Sequence, residues 1–122
     1  MNLDKLKAML DKIAANPKIK KALDEMDLKS DRNHLVDNVL KVLSAATVLT
    51  VFGGRIGRKI EGIALIIALL IKLSILVKEH VIDDPKVQKK VRDAWEELSE
   101  QSAALYVLAK NLAKKLKSKV SN

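Results

Sequence analysis

Gly62-Ile63-Ala64-Leu65-Ile66-Ile67-Ala68-Leu69-Leu70-Ile71-Lys72-Leu73-Ser74-Ile75-Leu76-Val77 is the stretch that decides the fold, sixteen residues broken only by Lys72 and Ser74. A run of this length bounded by charges reads as a helix, since strands seldom exceed eight residues. Apolar side chains occur on nearly every side of that helix, so it needs cover all round, from a bilayer or from other helices. A helix is expected from about Arg55 or Gly57 to about Val81.

Upstream, Leu35, Val39, Val42 and Ala46 share one face of a preceding helix, opposite Asp37, Lys41 and Ser44. Ser30 or Asp31 serves as its cap. From Ala45 to Phe52 no charge appears, and Gly53-Gly54 supplies the usual helix stop. Residues 35–81 therefore form an apolar helical hairpin.

Amphipathic segments flank the hairpin. Leu3, Leu6, Met9, Leu10 and Ile13 recur at helical spacing after Asn2 as cap. Asn16-Pro17 then ends one helix and starts another, whose apolar face is Ile19, Leu23 and Met26. Asp83-Asp84-Pro85 repeats this chemistry. It opens a helix expected to run unbroken for more than thirty residues, with Val87, Val91, Ala94, Leu98, Leu105, Ala109, Leu112 and Leu116 in one stripe. Acids near its start and lysines near its end match the helix dipole.

The chain of 122 residues carries a net charge of +8, 48% hydrophobic residues, four glycines, two prolines and no cysteine. Few turn residues exclude a β-rich fold, and the absence of cysteine excludes disulfides and thiolate chemistry. Phe52, Trp95 and Tyr106 are the only aromatics. The expected architecture is all-α: one domain over 1–122, an antiparallel bundle of about five helices, three long and two short and N-terminal, around the central hairpin.

A bilayer span needs about 20 apolar residues, which Gly62–Val77 does not reach. Glu61, Ala68, Lys72 and Glu79 fall near one line of the helix, with Arg58 close by, giving a narrow polar stripe. No Trp or Tyr marks either end. A bundle's central helix, wet along that edge, is the preferred reading. A greasy hairpin sheathed by amphipathic helices also resembles, in layout, the pore-forming domains of colicins. That resemblance implies a membrane-inserting alternative through residues 35–81.

Gly53-Gly54-Arg55-Ile56-Gly57-Arg58-Lys59 is too short for a phosphate loop, lacks the Ser or Thr that would hold a metal, and follows a helix rather than a strand. It nevertheless crowds Arg55, Arg58 and Lys59 at a helix start, where anions are favoured. These three are the first candidates for an anion or partner contact. Lys114, Lys115 and Lys117, in the basic amphipathic end that begins at Lys110, are the second. Nucleic acid is not expected, since stacking aromatics and a recognisable module are missing.

His34 and His80 are the only histidines. Glu79, Asp83 and Asp84 lie near His80, but another helix would have to complete any metal site. Neither histidine has a nucleophile beside it, and Glu96, Glu97 and Glu100 occupy a polar helix face. No catalytic residue, cofactor or metal is expected. Trp95 and Tyr106 flank the stripe of the last helix, either as core or, if exposed, as interface anchors.

The sequence thus predicts a non-enzymatic, cytoplasmic binding protein for an acidic protein surface or an anionic membrane surface, with homo-oligomerisation left open. Membrane association is the rival. An engineered bundle without a partner is a third reading, allowed by the clean caps and opposed by the irregular Ala45–Lys59 segment.

Overall fold

A computed structural model describes residues 3–27, 35, 37, 39–41 and 57–120, and their side chains except those of 3, 27, 57–61 and 116–120. Among these residues the fold is all-helical, as expected. The helices are α1 (Leu3–Ala14), α2 (Pro17–Asp27), α3 (Gly57–Lys78), α4 (Pro85–Gln101) and α5 (Ala103–Val120). Residues 35, 37 and 39–41 are also helical. The rest of the first arm of the hairpin, with its Gly53-Gly54 stop, lies outside the described residues.

The apolar run around Gly62–Val77 is α3, and α3 packs against α1, α2, α4 and α5. Ile66, Ile67, Leu70, Ile71, Leu73 and Leu76 are all buried, so more than one side of α3 is covered. Each fully buried Leu or Ile contributes about 1.5–3 kcal/mol, which makes this helix the main source of hydrophobic stabilisation. The faces read from the sequence in α1 and α2 point into the same cluster: Leu6, Leu10 and Ile13 from the first, Ile19, Leu23 and Met26 from the second. Leu35 and Val39 join them, and so do Val91, Ala94, Leu98, Leu105 and Ala109.

The two cap-and-proline turns form as expected. Lys18 N donates to Asn16 Oδ1 at 3.0 Å, and Lys86 N donates to Asp84 Oδ1 at 2.9 Å. Each carboxyl or amide oxygen thereby satisfies an amide that has no partner within its helix. The two turns are neighbours in space, with Lys18 Nζ 3.6 Å from Asp83 Oδ2. Both side chains are mostly exposed, so this ion pair adds little stability.

The C-terminal end of α3 closes as a Schellman motif. His80 N donates to the Val77 carbonyl at 3.2 Å and Val81 N to the Leu76 carbonyl at 3.0 Å. This pair of bonds needs a left-handed residue between them, and His80 takes that conformation with φ 59°. Val81 then packs against the core.

Two expectations require correction. The last helix is not continuous. Ser102, with φ −161° and ψ 112°, interrupts it between α4 and α5. Buried Ser102 ends one helix and caps the next: its N–H donates to the Leu98 carbonyl at 2.9 Å, while its carbonyl accepts from Tyr106 N at 3.0 Å. Its Oγ accepts from Leu105 N at 3.2 Å. Both backbone groups of this serine and an acceptor site of its hydroxyl are therefore partnered, which limits the cost of burying the break.

The second correction concerns the wet edge of α3. Ala68, placed on the polar stripe from the sequence, is buried, whereas Leu65 is 45% exposed. Gly62, Leu65, Leu69 and Lys72 form the partly open side. Lysine can carry its ammonium to water from a half-buried backbone position, so the charges did not mark the edge to within one residue.

Candidate functional site

Three helices enclose a cleft of about 270 Å³ lined by Ser74, Ile75, Lys78, Trp95, Tyr106, Lys110, Ala113 and Lys114. α3 supplies the first three residues of that wall, at i, i+1 and i+4. α5 supplies Tyr106, Lys110, Ala113 and Lys114, spaced i, i+4, i+7 and i+8, so all four lie on one helical face. Trp95 comes from α4 and closes the floor.

The floor is internally satisfied. Trp95 Nε1–H donates to Ser74 Oγ at 2.5 Å, and the Ser74 hydroxyl donates to the Leu70 carbonyl at 2.7 Å. Trp95 and Tyr106 meet with ring centroids 6.0 Å apart and planes at 86°, the edge-to-face arrangement that aromatic quadrupoles favour. Lys110 Nζ sits 5.4 Å from the Tyr106 ring centroid and donates to Tyr106 Oη at 3.4 Å. That bond uses the phenol as an acceptor and leaves its own proton available to a ligand.

The lining is electrically one-sided. Lys78, Lys110 and Lys114 are the charged residues of the wall, and no carboxylate is among them. Ammonium groups around an apolar floor attract anions, and the low-dielectric wall strengthens that attraction relative to open water.

The residues singled out from the sequence fare unequally. Lys114 lines the cleft. Lys115 is exposed but is not part of its wall. The backbone of Lys117 belongs to α5, and its side chain lies outside the described residues. Arg58 and Lys59 stand in the first turn of α3, which contains no acidic residue; their side chains, and all of Arg55, lie outside the described residues. Sequence reasoning missed Lys78 and Ser74 and did not select Lys110. The i, i+4, i+8 series Tyr106, Lys110, Lys114 was the available signal.

A second groove of about 260 Å³ runs between α1 and α3, lined in part by Lys7, Asp11, Leu65 and Lys72. Its charges are of both signs, so it does not select an anion. Among the described residues, no group of three His, Asp or Glu side chains is placed to hold a metal ion. No described helix is long and apolar enough to cross a membrane. Comparison with models of protein families, with curated proteins and with solved structures gave no match for this chain.

Proposed function

We propose that this chain is a non-enzymatic binding protein for an anionic partner, and that its binding face is the lysine-rimmed cleft between α3, α4 and α5. The observation that carries the reading is the placement of Lys110 and Lys114 on one face of α5 beside the aromatic floor, with no carboxylate in the wall. A net charge of +8 adds long-range attraction for the same class of partner. Cytoplasmic residence belongs to the same reading.

Binding of polyglutamate at low salt, followed by calorimetry, tests this reading. The Lys110→Gln/Lys114→Gln variant is expected to bind at least tenfold more weakly, and the Lys115→Gln variant to bind as the parent does. Equal affinity for all three proteins would remove the cleft from the proposal. It would return attention to Arg55, and to Arg58 and Lys59 in the first turn of α3.

The rival reading is docking on an anionic membrane surface through the basic end of α5. Exposed Lys110, Lys114 and Lys115 on that helix favour it. Sedimentation with vesicles containing anionic lipid separates the two: binding to vesicles but not to polyglutamate would favour the membrane surface.

A further inference from the structure

We propose that the cleft takes a compact amphipathic monocarboxylate, its apolar body on the Trp95–Tyr106 floor and its carboxylate between Lys110 and Lys114. This inference rests on the reading of the cleft as an anion site and names the class of anion.

The floor decides the body of the ligand. Its strongest polar donor, the indole N–H of Trp95, is already given to Ser74, whose hydroxyl is in turn given to the backbone of Leu70. Neither donor of this pair is left over for a guest. A peptide would bring carbonyl groups that neither donor can satisfy, and burying an unpartnered polar group is unfavourable. A hydrocarbon or aryl body carries no such cost and adds contact with Ile75 and Ala113.

The rim decides the head group. Lys110 is held over Tyr106, with its ammonium 3.4 Å from the phenol oxygen, and Lys114 lies one turn further along the same helix face. An anionic head at this edge meets two ammonium groups and the free Tyr106 proton. A phosphate would find the same charges, but would leave the apolar floor empty. At about 270 Å³ the cleft lies at the lower end of the usual range for small-molecule sites, about 300–1,000 Å³. That is the scale of a bicyclic aryl acetate or a medium-chain fatty acid.

The sequence contains one tryptophan, so emission from Trp95 reports occupancy of the cleft and nothing else in the chain. The experiment titrates the full chain with 2-naphthylacetate and with decanoate by calorimetry, and follows Trp95 emission with the non-absorbing decanoate. 2-Naphthylethanol, decanol, inorganic phosphate and polyglutamate complete the set.

The expected result is saturable binding of at least one monocarboxylate at a stoichiometry of one. Its alcohol analogue should bind at least tenfold more weakly, as should the acid to Lys110→Gln/Lys114→Gln. Binding of only the aryl or only the alkyl acid supports the proposal and fixes the shape of the body. An Ala113→Trp variant, which fills the cleft from its half-buried wall, should abolish monocarboxylate binding while circular dichroism stays unchanged. Equal affinity for acid and alcohol would overturn the assignment of the head group. Binding of polyglutamate or phosphate without monocarboxylates would overturn this inference and leave the anion site standing, whereas no binding by any anion would remove both.

Discussion

Trp95 and Tyr106 meet edge to face with their ring centroids 6.0 Å apart, although on an unbroken helix eleven steps of about 1.5 Å would separate their backbones by about 16 Å. The extended backbone at Ser102 accounts for the difference by turning α5 back beside α4. An edge-to-face pair is worth about 0.5–1.5 kcal/mol beyond the area it buries. A double-mutant cycle over Trp95→Leu and Tyr106→Leu, measured by urea denaturation, should therefore return a coupling of about 1 kcal/mol. A coupling near zero would mean that the rings are adjacent without attraction.

Ser102→Ala removes the Oγ that accepts from Leu105 N. Loss of a helix cap costs about 1 kcal/mol, which in a domain of this size lowers Tm by about 4 °C. Ser102→Asp restores a capping oxygen but brings charge into a site only 5% exposed, so it should be no better than alanine. Calorimetric scans of the three proteins check the order.

His80 holds a left-handed conformation at φ 59°, which costs a residue with a β-carbon roughly 1–2 kcal/mol. Glycine avoids that cost and loses part of the gain to its larger freedom in the unfolded chain. His80→Gly should thus stabilise the protein by about 0.5–1 kcal/mol. His80→Val, branched at the β-carbon, should destabilise it by at least 1 kcal/mol. Opposite signs in chemical denaturation are the diagnostic.

Gly62 lies within α3, and a methyl group added there would meet no atom within 4 Å. Glycine inside a helix costs about 0.5–1 kcal/mol relative to alanine. Gly62→Ala should raise Tm by about 2–4 °C. A fall in Tm would mean that the added methyl group disturbs the packing of α3.

The central place of α3 was legible because its apolar residues leave no polar face wide enough for a surface helix. The buried positions of α1, α2, α4 and α5 followed from the 3.6-residue period, and the starts of α2 and α4 from Asn16-Pro17 and Asp84-Pro85. The break at Ser102 was not legible. Leu98 and Leu105 are seven positions apart, so the stripe keeps its phase through the interruption. The residues that follow Ser102, Ala103 and Ala104, are good helix formers, and no Gly or Pro marks the bend. Reciprocal capping would have shown a Glu or Gln at 105; leucine stands there instead. The cleft was hidden for the same reason. Lys78, Trp95 and Lys114 come together only once α5 has folded back, and no local pattern contains that step.

Leu98 and Leu105 stay in phase across buried Ser102, so the break redirects the chain without moving its apolar stripe to another side. Two helices of different direction thereby share one seam, and a single buried core holds them both.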